Sequence, residues 1–141
     1  MRKAIVKEAE ENKEQLNKDR ELLFEQQRAE RGFDDSETWN LDHTIAVFVL
    51  PRLEAFKKVH CGSPCQPNKD CQLKSIGAKK WNQILDKMIY AFEIHASEDM
   101  SFGYDLDHTD QEKFSREYKE RMDKVSEGLK LFAKWYGNLW D

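Results

Sequence analysis

Between Arg2 and Arg31 apolar side chains are sparse, with Ile5, Ala9, Leu16 and Leu23 standing among Glu, Lys, Gln and Arg at nearly heptad spacing. The pattern predicts one long, weakly amphipathic helix. Its eight acids balance its eight bases, as in a salt-bridged surface helix or an oligomerisation arm. Gly32 is placed to end it, and Asp35 or Ser36 to cap the next helix, with Glu37 at the positive end. The stretch after Trp39 brings Leu41, Ile45, Phe48, Leu53, Phe56 and Val59 to helical spacing, which predicts a helix buried along that face. Pro51 has no N–H for the carbonyl of Val47, so a kink or a break is expected there. A third helix is predicted over Ala78–Ala96, with Trp81, Leu85, Met88, Phe92 and His95 on one side. Residues 97–112 read as a loop.

The last helix, from about Thr109 to Leu139, carries Phe114, Tyr118, Met122, Val125, Leu129, Phe132, Tyr136 and Leu139 in alternating steps of four and three. That is a coiled-coil-like seam. Gly128 beside it permits a close helix approach at a propensity cost of about 1 kcal/mol relative to Ala. No strand-like run outlasts its helical alternative. The expectation is therefore all-α: residues 1–141 as a single domain, a bundle of four main helices with the second kinked or broken at Pro51.

Composition supports this and narrows the classes of function. A chain of 141 residues with 35% charged side chains, six Gly and three Pro suits long solvated helices in one domain. A formal net charge of -4 argues against nucleic acid held by global charge. No apolar leader and no run of about 20 apolar residues is present, so a cytoplasmic protein without a membrane partner is expected. Three cysteines is an odd number, which favours reduced thiols over a disulfide framework.

Candidate chemistry centres on two places. Cys61, Cys65 and Cys71 share a short segment with His60, yet a tetrahedral zinc site needs a fourth ligand, and His60 adjoins Cys61 too closely to serve. No metal, no cofactor and no catalytic residue is assigned. The acidic run DLDHTDQE lacks the glycine and the terminal glutamate spacing of a calcium loop. It does contrast with Lys57–Lys80, which holds six Lys and one Asp, so the lysine-rich end is a candidate for a small anionic ligand or an acidic partner. The second place is a polar flank: Asp42 and Arg52 on the second helix, Asp86 and Glu93 on the third, each bordered by apolar positions. Charges so placed require partners, and Arg52 is expected to pair with Asp86 or Glu93, with Asp42 nearby, as a structural ion network or a ligand site.

The segments ETWNLDHTIAVFVLPRLEAFKK, WNQILDKMIYAFE and GLKLFAKWYGNLWD together resemble a family of small tailed-bacteriophage proteins. The resemblance covers about residues 32–60, 81–94 and 128–141, and the cysteine loop departs from the family's shorter connection. It brings no catalytic residues with it. What it implies is a phage accessory protein acting in the infected host cell as a non-enzymatic binding module, inhibiting a host or defence protein or sequestering a small signalling ligand. The alternatives are a small metal-assisted enzyme built on Asp42, Arg52, Asp86 and Glu93, and a virion assembly component. Self-association is also expected, through the Arg2–Arg31 helix or the aromatic end containing Trp135, Tyr136 and Trp140.

Overall fold

The structure, a computed structural model, describes residues 2–140, with side chains from residue 6 onward. Met1, Asp141 and the side chain of Ile5, part of the expected N-terminal stripe, lie outside the described residues. The fold is all-α, with five α-helices and, among the described residues, a single sheet of two short strands. The chain groups into two compact units, Met1–Leu41 and Asp42–Asp141.

The first unit is helix α1, Arg2–Arg31, and a 3₁₀ turn over Asp35–Thr38. The charged pattern of α1 closes local pairs such as Lys18–Glu14 at 2.7 Å and Gln15–Asp19 at 2.8 Å, both exposed. Each is worth a few tenths of a kcal/mol. Val6, Leu16, Leu22 and Leu23 remain exposed. Beyond these local pairs, the last turns of α1 find partners outside the helix, where Phe24 meets Trp39 edge-on at 5.9 Å and Gln27 exchanges two hydrogen bonds with Asp35. The cap here is Asp34 rather than Asp35 or Ser36. Its carboxylate accepts from the Ser36 amide at 2.8 Å while its own amide donates to Glu37 Oε1 at 3.0 Å, a closed capping box. Asp34 is buried, and the Ser36 hydroxyl above all, with Arg28 beside it, holds its carboxyl below the usual range.

The second unit begins in α2, Leu41–Val59, which runs unbroken through Pro51. Leu53 and Phe56 of the expected row face inward, but their companions are Ala46, which is buried, and Val49 and Leu50 packed beside it. Leu41, Ile45, Phe48 and Val59 are exposed. The cause is visible in IAVFVL, where consecutive apolar residues leave periodicity unable to choose a side. Residues expected to be an open loop then form a hairpin, β1 Cys65–Pro67 against β2 Leu73–Ser75, antiparallel with Cys65 opposite Ser75. Asn68 shapes its turn, its side-chain oxygen accepting from the amides of Asp70 and Gln72 at 2.9 Å each.

Helix α3, Ala78–Ala96, occupies its expected bounds and is the central element, with Trp81, Ile84, Leu85, Met88, Ala91, Phe92 and Ile94 all buried. Where a loop was expected next, Ser97 caps a short α4, Glu98–Phe102, through a bond from the Met100 amide at 3.3 Å. Gly103 closes it at φ 74°, and a Cβ there would lie 3.0 Å from Tyr118. Helix α5, Gln111–Trp135, is capped by Asp110 and followed by a 3₁₀ turn over Tyr136–Asn138, so it ends short of Leu139.

Helices α3 and α5 form the most extensive interface of the unit. Trp81 meets Trp135 at 5.7 Å and Phe92 meets Phe132 at 4.9 Å, both edge-on. The α5 seam passes through Val125, Gly128 and Trp135, which are buried, whereas the expected Leu129 and Tyr136 are exposed. Gly128 thus lies in the seam rather than beside it: a Cβ would meet the Lys87 carbonyl oxygen at 2.2 Å and Ala91 Cβ at 2.7 Å. A side chain of zero size at this point is what lets the two backbones touch.

Candidate functional site

The four charges of the expected network go to four separate neighbourhoods. Asp42, at the start of α2, accepts from His95 Nδ1 at 3.2 Å, and the neighbouring His43 ring lies 3.2 Å from the His95 carbonyl. Asp86 pairs with Lys57. Glu93 is exposed and makes no ion pair among the described residues. Arg52 meets no carboxylate among the described residues: its guanidinium lies over the Phe48 ring at 3.7 Å and donates to the Phe48 carbonyl at 2.7 Å. The expected pairing of Arg52 with Asp86 or Glu93 does not form. With Ala46 and Leu53 facing the core, Arg52 is carried to the outer side of α2, while Asp86 and Glu93 stand on exposed positions of α3.

That outer side of α2 has an order of its own. Ile45, Phe48, Arg52, Ala55 and Val59 follow one another in steps of three, four, three and four, the spacing of a helix–helix seam, and all five are exposed. Ile45 is 46% accessible, Phe48 59% and Val59 65%, values usual for polar surface positions. The row is stiffened by Arg52, because a cation stacked on Phe48 and bonded to its carbonyl fixes both side chains.

The lysine-rich end presents a different surface. A groove of about 700 Å³ runs between α3, α5 and the first strand, with Ile84, Leu131 and Trp135 in its lining. Its carboxylates already hold cations, Asp86 with Lys57 and Glu127 with Lys87. Lys80 and Lys134, also in the lining, have no carboxylate partner among the described residues. Lys134 instead sits 5.1 Å from the centre of the Trp135 ring. Trp135, expected with Tyr136 and Trp140 to offer a self-association surface, is instead 5% accessible within the chain's own core, and its buried indole N–H has no hydrogen-bond partner. Tyr136 and Trp140 are the exposed ones.

The cysteine segment includes the strand that supplies Gln66 to this groove. Cys61, Cys65 and Cys71 are exposed thiols outside any disulfide. Both nitrogens of His60 are engaged, Nδ1 3.2 Å from the Gly62 carbonyl and Nε2 3.1 Å from Asn82 Oδ1, with the ring stacked on Phe56. Among the described residues no group of three or more His, Cys, Asp or Glu is placed to hold a metal ion, and no helix is long and apolar enough to cross a membrane.

The acidic run after α3 is spent on structure. Asp105 takes both arms of Arg121 at 2.7 Å each, and the same guanidinium donates to the Met100 carbonyl at 2.7 Å. Arg121 therefore holds the Asp105 carboxyl below its usual range. Asp107 is held low by the Thr109 hydroxyl and amide. Sequence reading missed Arg121 and Lys134; the signal for Arg121 was a cation at seam spacing, three residues after Tyr118 and four before Val125. Comparison with protein-family models, curated proteins and solved structures finds no match.

Proposed function

We propose that this protein is a non-enzymatic binding module that takes up an amphipathic helix of a partner protein along the outer face of α2. The observation that carries the reading is the exposed row Ile45, Phe48, Ala55 and Val59 at seam spacing, on a helix whose opposite side is already committed to the core. Buried against a partner, such a row gains roughly 25 cal/mol for each Å² of apolar area removed from water. Arg52 interrupts the row with a planar, preorganised cation, which defines the partner further: its helix carries an acidic side chain opposite Arg52. The resemblance to tailed-phage proteins sets this in an infected bacterial cell, in the cytoplasm, as an accessory protein engaging a host or defence protein.

The test is a photo-crosslinking amino acid at position 48, with the exposed α5 position 120 as control, expressed in a bacterium infected by the phage. A crosslinked product of one heterologous protein at 48 and not at 120 supports the reading. Products joining only two copies of this chain identify self-association as the use of the face. No product at 48 above that at 120 refutes it. In purified protein, Arg52→Lys keeps the charge and loses the fork, so partner affinity should fall about tenfold, one charge-assisted hydrogen bond, with the melting temperature unchanged.

A further inference from the structure

We infer that in the free protein the outer face of α2 is covered by α1 of a second copy of this chain, antiparallel and reciprocally, in a symmetric dimer that a partner helix must displace. The inference rests on the reading of that face as a helix-docking seam and adds what regulates access to it. Helix α1 carries a matching row: Ala9, Asn12, Leu16, Asp19, Leu23 and Gln26 follow in alternating steps of three and four, and all are exposed. The turn after α1 is held by bonds of its own, Gln27 with Asp35, Arg28 with Asp34, and the Asp34–Glu37 capping box. It is therefore not a slack connection free to fold α1 back, and the occupant comes from another molecule.

The charges decide both the occupant and its direction. Along each seam two sets of positions alternate: on α2, Arg52 belongs to the set of Ile45 and Val59, and on α1, Asp19 belongs to the set that excludes Leu16 and Leu23. Parallel helices bring like sets face to face, antiparallel helices unlike ones. Only antiparallel pairing sets Asp19 opposite Arg52, and the same register then lays Leu23 on Phe48 and Leu16 on Ala55, with the neutral amides of Gln26 and Asn12 at the ends beside Ile45 and Val59. The groups left over fit one another. Asp19 Oδ1 accepts from Gln15 at 2.8 Å, which leaves Oδ2 for a guanidinium, and Arg52 spends one nitrogen on the Phe48 carbonyl. The antiparallel direction also carries the stretch Glu8–Glu14, four Glu to one Lys, toward Lys57 and Lys58 at the end of α2. Neither helix pairs so well with its own copy: α2 on α2 sets Arg52 against Arg52 or an apolar side chain, and α1 on α1 does the same with Asp19. Because each copy offers both rows, two identical seams close the dimer. A partner helix then competes with α1, so its apparent affinity falls as protein concentration rises.

The experiment is sedimentation equilibrium on the purified full chain and two charge reversals, Asp19→Arg and Arg52→Asp, both at exposed positions, with circular dichroism to check that helix content is unchanged. The unaltered chain should be a dimer. Each reversal alone places like charges in both seams and should raise the dissociation constant about 100-fold, about tenfold for each seam. An equimolar mixture of the two variants should form the dimer again, since every seam of the mixed dimer holds one acid and one base; pairing within a single chain could not be rescued in this way. Arg116→Asp, the same change of charge on the exposed side of α5, should leave the dimer as it was. Three results overturn the inference: an unaltered chain that stays a monomer at the highest soluble concentration; a mixture that stays monomeric; or equal weakening by Arg116→Asp and Arg52→Asp, which would reduce the effect to net charge. Each of these leaves the reading of the α2 face standing if position 48 crosslinks to a heterologous protein, whereas a rescued dimer without such a product sustains the inference and ends the partner reading.

Discussion

Replacing Gly128 by alanine adds one methyl group at the point where α3 and α5 are closest. The new carbon would sit 2.2 Å from the Lys87 carbonyl oxygen and 2.7 Å from Ala91 Cβ. Ordinary contact needs about 1 Å more, and since the nearer atom is backbone on a central helix, no rotamer change relieves it. The helices must part, and a radial gap of 0.5–1 Å forfeits about a quarter to a half of each contact's attraction along a seam that includes Val125, Phe92, Phe132 and Trp135. Overpacking of this kind costs about 3 kcal/mol at the upper end of its usual range, and alanine returns about 1 kcal/mol through helix propensity. The net expectation is a loss of about 2 kcal/mol, which for a unit of about 100 residues lowers the melting temperature by about 8–16 °C. Calorimetry on Gly128→Ala measures it, with Gly137→Ala as control, a position where a Cβ meets nothing within 4 Å. Adding Ala91→Gly to Gly128→Ala should recover only a small part, because the Lys87 carbonyl remains. A Gly128→Ala melting temperature equal to or above that of the unaltered protein would show that the helices are not in backbone contact, and would remove the reason given for the seam.

Acid should unfold the protein through its held-down carboxylates: Asp34, Asp35, Asp105 and Asp107 are lowered chiefly by Ser36, Arg31, Arg121 and Thr109 respectively. A group depressed in the folded state contributes stability above its unfolded pKa and loses it as pH falls through the folded value, so the melting temperature should be level above about pH 5 and fall below about pH 4. A pH series by circular dichroism checks this, and Asp105→Asn should remove part of the fall. Arg121, whose side chain is 13% accessible, should not tolerate lysine: Arg121→Lys loses the paired bonds to Asp105 and is expected to cost about 1–2 kcal/mol in urea unfolding, against no change for Arg116→Lys on the exposed side. Cys71 adopts φ 58° in the hairpin turn, a conformation that glycine enters without strain, so Cys71→Gly should raise stability by about 1 kcal/mol in the same assay; a loss of more than that would assign the thiol a packing role.

How much could be read beforehand differs from helix to helix. The bounds of α1 and α3 were legible because local signals agree: Gly32 follows the one, and the Ser97–Glu98 boundary and a wide apolar face define the other. The inner side of α2 was legible after Pro51, at Leu53 and Phe56, but not before it, since the six apolar residues 45–50 satisfy two faces equally. The expected ion network failed for the same reason: turning α2 to bury Ala46 carries Arg52 outward, and its nearest acceptor becomes the carbonyl one turn back. Short elements were hidden too, because a hairpin of three-residue strands and a five-residue helix offer too few positions for any period to show.

The sequence by itself determined the class of fold, through helical spacing and few breakers, and it marked the lysine-rich end as distinct from the acidic one. Only the tertiary structure decided which row of α2 stays uncovered, which seam residue of α5 lies innermost, and that Trp135 turns into the core with its N–H unbonded. Local patterns report how often apolar residues recur along a chain; which side they face is settled by the shape of the neighbour, here by the lack of any side chain at Gly128 and the small one at Ala46.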